Sequence, residues 1–158
     1  MVKKMLINNG WKQKTIRIKL DYNRLCDFLI FNEKKEDREI RKMHDSIFNY
    51  SLDYINDSEN YKKYEILRYR GRREPKGFLL EEKTIERLEK EYNKFSENLK
   101  LKYNMQITLG EFTEFLIFIW CRRELPKEVF EFLQIDWGFR QKETNIIEND
   151  FNNKINDN

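Results

Sequence analysis

The sequence predicts a mainly α-helical fold with a minor β component, in which one or two short strands or a β-hairpin accompany the helices. Most segments carry apolar residues at helical spacing, and only short stretches alternate apolar and polar residues as a strand does. The 158 residues include five glycines and two prolines, too few for a loop-rich β architecture. We expect one compact helical domain over residues 1–140 and a polar, disordered tail over residues 141–158, where little apolar surface is present.

The first predicted strand, Lys14–Leu20, is the most informative segment because its residues alternate strictly. One face consists of Ile16, Ile18 and Leu20, and the other consists of Thr15, Arg17 and Lys19. Neighbouring residues of a strand point to opposite faces, so we expect the aliphatic face to be buried and the cationic face to be open. Asp21, a residue type that caps helices well, then starts the next element.

Helical spacing predicts the elements that follow. A helix begins after Asp21, with Leu25, Phe28 and Leu29 on one face, and the polar residues 32–37 are expected to end it before a second helix from about Arg38. Residues 64–70 are strand-prone, residues 71–76 are expected to form a turn, and Phe78–Leu80 is expected to return as a strand. A long helix is predicted from Thr84 to about Lys100.

The best-marked helix start is Thr108-Leu109-Gly110-Glu111, which is a capping box. The helix after it is aromatic from Phe112 to Trp120, and we interpret it as the core helix or, alternatively, as part of a homodimer seam. Pro126 suits the first turn of a last helix. The residues that this helix is expected to bury are Val129, Phe130 and Leu133.

Two segments share the order strand, helix, break and helix, namely residues 14–55 and residues 76–121. Residue identity does not link them, so coincidence stays open. The alternating strand Lys14–Leu20, Asp21 and the short helix after it resemble the ribbon-helix-helix family of DNA-binding proteins. The resemblance implies that two strands pair into an antiparallel ribbon in the major groove. It also implies that the residues touching base edges are Thr15, Arg17 and Lys19.

Members of that family also hold a phosphate at the start of the second helix, typically with Ser or Thr. The first unit departs from the pattern because its second helix opens with Glu36-Asp37-Arg38, whereas the second unit offers Thr108. The strand of the second unit, Gly77–Glu81, does not alternate. We therefore expect the partner strand to come from a second chain, in a homodimer, or from Tyr64–Arg70. Pairing between the two units within one chain stays open.

Basic residues are concentrated, although the net charge is only +3. Residues 1–20 hold six Lys or Arg and no acidic residue, and residues 64–76 hold five against two acidic ones. Such segments attract phosphates. The residues of these segments expected to contact the DNA backbone are Lys12, Lys14, Arg68, Arg70, Arg72, Arg73 and Lys76. The resemblance implies a further phosphate contact at Thr108.

Plainer interpretations of the basic segments are also open. The strand is then an edge strand with a solvated basic face, and residues 68–76 form a charged hairpin loop. Arg70-Gly71-Arg72 resembles an AT-hook, but Arg73-Glu74 stands where that motif has its proline. A loop that contributes only general phosphate attraction lies between these interpretations, and we favour it.

No catalytic or metal-binding constellation stands out. His44 is the only histidine and lacks partners at ligand spacing, so we expect it at a helix surface or at the edge of the core. We expect no enzyme activity, no cofactor and no metal. Cys26 and Cys121 lie in apolar helical patterns and are expected to be buried thiols of a cytoplasmic protein. The most apolar window, Phe112–Cys121, is too short to span a membrane.

These features favour a DNA-binding protein with double-stranded DNA as its partner. The roles expected for it are a transcriptional regulator or a plasmid or phage partition or accessory factor. The alternative is a helical protein–protein interaction module, either antitoxin-like or a phage-encoded inhibitor. In that case the basic segments meet an acidic protein surface and the aromatic helix supplies the hot spot of the interface.

Overall fold

The computed structural model describes residues 10–35, 43–56, 60–67 and 72–142. In these ranges the chain forms five α-helices and two sheets, each made of two antiparallel strands. The predicted fold class, mainly α with a minor β component, is confirmed. The predicted hairpin is wrong, because the longest strands pair across more than fifty intervening residues and not across a tight turn.

The elements follow one another in this order: β1 (Trp11–Lys19), α1 (Leu20–Lys35), α2 (Met43–Asn56), a 3₁₀ turn (Asn60–Lys63), β2 (Tyr64–Ile66), β3 (Arg73–Glu81), α3 (Glu82–Tyr103), α4 (Leu109–Glu124), α5 (Lys127–Phe132) and β4 (Phe139–Gln141). The predicted break at residue 32 is wrong, because α1 continues to Lys35. The predicted second helix is found from Met43 onward, and its expected start at Arg38 lies outside the described residues. Most of the predicted tail, residues 143–158, also lies outside them.

The ribbon consists of β1 and β3, paired from Trp11 opposite Glu81 to Lys19 opposite Arg73. Two expectations are thereby corrected. Residues 73–76 belong to a strand and not to a turn, and the partner strand of β1 is neither Tyr64–Arg70 nor a second chain. Phe78 and Leu80 are fully buried on the core side of the ribbon, and this burial selects the strand conformation where the local pattern is weak.

Each ribbon strand leads into two helices, β1 into α1 and α2, and β3 into α3 and α4. Helix α2 packs against α4, and each of these two helices also packs against the strand of the other unit. The two remaining strands, β2 and β4, form the second sheet. The order strand, helix, helix therefore occurs twice, and the two units meet through both their strands and their second helices.

Helix α4 is the centre of the core, and ten of its sixteen residues are buried. The rings of Phe112, Phe115 and Phe118 contact aromatic side chains from α3, β2 and β4. The aromatic helix is thus a core helix of one chain, and its rings are not available for a homodimer seam. The predicted capping box is confirmed, because the Thr108 hydroxyl accepts the Glu111 N–H at 3.1 Å and the Glu111 carboxylate accepts the Thr108 N–H at 3.3 Å.

Helix α5 is shorter and more exposed than predicted. Pro126 precedes its first residue, and none of its residues is buried. The expectation that it buries Val129, Phe130 and Leu133 holds only in part. All three are half-buried, and Phe130 and Leu133 pack against the core, because a helix of six residues at the surface covers little. Phe130 is partly covered by Trp137, whose ring stacks on it in parallel with the centroids 4.8 Å apart.

Each outer edge of the ribbon is capped at one end by a helix of the opposite unit. On the β1 edge the Glu114 carboxylate of α4 accepts the Lys19 N–H at 2.8 Å, and on the β3 edge the Asp45 carboxylate of α2 accepts the Glu81 N–H at 3.0 Å. The first turn of α4 also presses directly on β1. A side-chain carbon at Gly110 would lie 2.0 Å from the Arg17 carbonyl oxygen, so only glycine fits there.

We expect Gly110→Ala to lower the free energy of unfolding by about 2 kcal/mol or more, because the added methyl must displace strand backbone. Gly77→Ala is the matched control. Its methyl would meet only the end of the Gln13 side chain, which can move into solvent, so we expect a change within about 0.5 kcal/mol. Urea unfolding of both variants measures the difference, and equal stabilities would contradict the close approach of α4 to β1.

His44 lies in the first turn of α2, buried beneath the ribbon with its ring edge-on to Phe78 at 5.0 Å. Its Nε2 atom has no hydrogen-bond partner among the described residues. Burial, helped by the nearby Lys76 ammonium, lowers the pKa of His44 to about 4. The histidine is therefore neutral in the folded protein at neutral pH.

A depressed histidine pKa makes the fold sensitive to acid. The unfolded chain binds a proton near pH 6.5 that the folded chain does not accept until about pH 4, so stability falls as the pH drops between these values. We expect His44 to account for about 2 kcal/mol of stability lost between pH 7 and pH 5. Urea unfolding of His44→Leu should show a flatter pH profile than the parent protein, and parallel profiles would contradict a buried neutral histidine.

Candidate nucleic-acid interface

The outward face of the ribbon is the face turned away from Ile16 and Ile18. It carries three exposed polar side chains of β1, which are Gln13, Thr15 and Arg17. Opposite Thr15 and Arg17, β3 places Gly77 and Pro75, so nothing large flanks them. Gln13 was not predicted from the sequence as part of this face, although it continues the alternation of Thr15 and Arg17.

Arg17 is oriented across the ribbon by its own hydrogen bond. Its Nη2 atom donates to the Arg73 carbonyl oxygen at 2.9 Å, which holds the guanidinium over the neighbouring strand. The remaining N–H groups stay available, and a guanidinium held in this way can offer two parallel donors to a base edge. Arg17 is thus the best-positioned of the predicted base-reading residues.

Lys19 does not lie on the open face, and this part of the prediction is wrong. Its side chain is only 3% exposed because α4 packs against this end of β1. Burial lowers the pKa of Lys19, whereas the nearby Glu114 carboxylate opposes that change. The strict alternation of the strand could not show that a helix covers its last residue.

Lys12 and Lys14 point to the other side of the ribbon, toward α3. Their ammonium groups pair with Glu82 at 2.7 Å and with Glu89 at 3.0 Å. The hydrogen bond to Glu82 also raises the pKa of Lys12. The structure thus separates both lysines from the outward face and gives each a carboxylate partner within the chain.

The basic residues of the segment predicted as a loop, residues 68–76, also differ in whether they are paired with acids. Arg73 pairs with the buried Glu114, and Lys76 pairs with Asp27 of α1. Arg72 is different, because its side chain is 85% exposed and its ion-pair partner within the described part of the chain is Glu74, at 3.5 Å. Arg68 and Arg70 lie outside the described residues.

Thr108 lies at the start of α4, in the turn that presses on β1 beside Arg17. Its hydroxyl is occupied by the capping box, and the Glu111 carboxylate lies directly against it. What α4 offers to a phosphate at this position is therefore at most the N–H groups of Leu109 and Gly110, because the cap takes the Glu111 N–H. A contact through the threonine hydroxyl itself would have to displace the cap.

Glu114 is the most deeply buried acidic group of this region, with 0% exposure. Its carboxylate accepts the Lys19 N–H and two hydrogen bonds from the Arg73 guanidinium, at 3.2 and 3.3 Å. Burial raises the pKa of Glu114, and the bonds from Arg73 and Lys19 oppose that rise. One carboxylate thus joins α4 to both strands of the ribbon.

Other chemistry is sparse in the described part of the chain. No group of three His, Cys, Asp or Glu residues there is placed to hold a metal ion. Cys26 and Cys121 are free thiols and buried, as predicted, and burial raises the pKa of Cys26 to about 12. None of the described helices is both long and apolar enough to cross a membrane.

We expect Glu114→Ala to lower the free energy of unfolding by about 3–5 kcal/mol, since it leaves the Arg73 guanidinium and the Lys19 N–H without their acceptor. Glu114→Gln should cost less, because an amide oxygen still accepts the N–H. Glu89→Ala is the control, as it removes an exposed carboxylate whose pair with Lys14 contributes below about 1 kcal/mol. Urea unfolding ranks the three variants, and a Glu114→Ala protein as stable as the control would contradict the bridging role.

Comparison with protein-family models, with curated protein sequences and with solved structures finds no match for this chain. What the chain can bind is therefore argued from its own geometry. That geometry comprises an outward strand face with Gln13, Thr15 and Arg17, an exposed Arg72 near one end of it, and a helix start beside Arg17.

Proposed function

We propose that this protein binds double-stranded DNA through the outward face of the β1–β3 ribbon. The observation that carries the proposal is the set of exposed side chains Gln13, Thr15 and Arg17 on a paired, two-stranded ribbon whose opposite face is buried. A two-stranded ribbon has the width that the major groove admits. The ribbon-helix-helix resemblance is kept as part of this proposal, with both strands supplied by one chain.

In this proposal each exposed residue type has a matching base edge. Arginine donates two hydrogen bonds to guanine, glutamine pairs with adenine, and the methyl group of threonine contacts that of thymine. Strand β3 does not contribute a comparable row of polar side chains to the outward face, because it has Pro75 opposite Arg17 and Gly77 opposite Thr15. Since the two strands differ, the ribbon fits an asymmetric DNA site and not a palindrome.

Phosphate contacts are assigned to Arg72 and to the first turn of α4. Arg72 is the exposed member of the basic segment, and the α4 turn lies against β1 at Arg17. Both sites flank the reading face, where the DNA backbone would pass. Each phosphate neutralised by a cation steepens the fall of log affinity with log salt by about 0.9.

The sequence suggested more specific roles for a DNA-binding protein, and these stay proposals. They are a transcriptional regulator or a plasmid or phage partition or accessory factor.

A second candidate function is that of a protein–protein interaction module. It is favoured by large apolar side chains in solvent, since Leu101 and Phe132 are each 84% exposed and Tyr103 is 61% exposed. Material that carries nucleic acid through purification supports the first function, and nuclease-treated material that retains a protein supports the second.

The test begins with selection of bound duplexes from a random pool, followed by anisotropy titrations on the selected duplex and on an unrelated one. We expect Arg17→Ala to reduce discrimination between them by about 1–3 kcal/mol, because it removes a base contact. Arg72→Ala should weaken both duplexes alike and reduce the salt slope. Lys94→Ala, at an exposed position of α3, is the control and should change neither quantity.

Two outcomes would contradict the proposal. If the protein binds no duplex at low salt, DNA is not its partner. If it binds DNA but Arg17→Ala and Lys94→Ala behave alike, the ribbon is not the reading face.

A further inference from the structure

A second basic surface lies at the far end of α4 from the ribbon. It is an open cleft of about 800 Å³ between the end of α4, helix α5 and the β2–β4 sheet. Its lining combines four cations with three aromatic rings: Lys63, Arg122, Arg123 and Lys127 with Tyr54, Tyr64 and Phe130. Sequence reasoning missed it, although Arg122-Arg123 followed by Lys127 is a visible basic cluster.

Each of the two arginines of the cleft has its guanidinium carbon over an aromatic ring. The Arg123 Cζ atom lies 4.0 Å from the centroid of the Tyr54 ring, and Arg122 Cζ lies 5.6 Å from that of Phe130. Phe130 is itself stacked on Trp137, so the layers continue beneath Arg122. The exposed Arg123 guanidinium, in contact with the Tyr54 ring, thus offers a planar group on which a further ring can stack.

The hydrogen bonds of the two arginines do not neutralise their positive charge. Arg122 donates to the Gln141 amide oxygen at 2.8 Å, and Arg123 donates to the Tyr50 hydroxyl at 3.0 Å. Both direct partners are neutral, and within the described residues neither guanidinium forms an ion pair, although the Tyr50 hydroxyl is also hydrogen-bonded to the Glu124 carboxylate. This contrasts with the ribbon lysines, which are paired with acids of α3.

The cleft is positive overall. Its four cations face one carboxylate, that of Glu131, which contacts Lys127 only at 3.9 Å. Four positive charges and one negative charge leave a net charge of +3 at the lining. A surface of this kind attracts a multiply charged anion, and the stacked arginines favour one that also carries a flat ring.

We propose that this cleft binds a nucleoside phosphate, with the base stacked on the Arg123 guanidinium and the phosphate held by Lys63 and Lys127. The volume suits such an occupant, since clefts of about 300–1,000 Å³ enclose ligands of this size. The same chemistry is presented by a free nucleotide and by an unpaired nucleotide of a strand. A base inside a duplex is excluded, because both of its faces are already stacked on neighbours.

This site is separate from the ribbon and does not depend on the proposed reading of duplex DNA. Gly110 contacts β1 in the first turn of α4, whereas Arg122 and Arg123 lie in its last turn. At a helical rise of about 1.5 Å per residue, the two ends are roughly 18 Å apart. One ligand of nucleotide size therefore cannot reach both sites.

The test is calorimetric titration of the full chain with adenosine 5′-monophosphate, with adenosine and with inorganic phosphate, at low salt. We expect the monophosphate to bind at least about tenfold more tightly than adenosine or inorganic phosphate does. The reason is that only the monophosphate contacts both the stacking surface and the cations. Arg123→Lys keeps the positive charge but removes the planar guanidinium on which the base is proposed to stack. This variant should lower the affinity for the monophosphate about tenfold and leave the affinity for inorganic phosphate unchanged.

Two further variants make the result specific. Arg24→Lys, at an exposed position of α1 that does not line the cleft, is the matched control and should bind the monophosphate as the parent does. Lys127→Gln changes an exposed side chain, so it preserves the fold even if Arg123→Lys does not, and it should weaken the monophosphate and phosphate by the same factor. Thermal unfolding by circular dichroism checks that each variant is folded.

A 5′-phosphorylated oligodeoxyadenylate distinguishes the two sources of the ligand. Tighter binding of the oligonucleotide assigns the cleft to a single strand, and tighter binding of the monophosphate assigns it to a free nucleotide. The inference is overturned if the monophosphate binds no better than inorganic phosphate, or if Arg123→Lys binds it as well as the parent does.

Discussion

The buried carboxylate of Glu114 is the interaction on which the arrangement of this fold depends. It sits in α4, the helix at the centre of the core, and bonds the edge of β1 through the Lys19 N–H and the side chain of Arg73 in β3. A buried carboxylate is tolerated only when its oxygens are satisfied, and here three donors converge on it. The register of the ribbon and the position of the core helix are therefore set together.

This constraint also explains why the ribbon is complete within one chain. A two-stranded ribbon normally exposes two edges that invite another strand. Here α4 covers part of the β1 edge and α2 caps the end of the β3 edge, each through a carboxylate that accepts a strand N–H. The outward face at Gln13, Thr15 and Arg17 stays open, whereas Lys19 and Arg73 are taken up by the attachment of α4.

Helix α4 connects the two surfaces on which the functional proposals rest. Its first turn lies against the reading face of the ribbon, and its last turn carries the arginines of the cleft. The helix is rigid between these ends, because most of its residues are packed in the core. The two surfaces are chemically different: the ribbon presents isolated polar side chains, whereas the cleft presents cations backed by aromatic rings.

By itself the sequence determined the features that depend on neighbours along the chain. The alternation of β1, the capping box at Thr108 and Glu111 and the apolar spacing of the helices are local. The capping box is found where it was predicted, whereas β1 begins earlier, at Trp11, and ends at Lys19, and α1 continues past its predicted end. Tertiary structure alone decided which strand pairs with β1, that Lys19 is buried, and that Lys12 and Lys14 meet acids of α3. It also brought Lys63 and Tyr54 to the arginines of α4. The physical reason is that burial and hydrogen bonding join residues far apart in the chain, such as Lys19 and Glu114, which are ninety-five positions apart, and no local pattern records their meeting.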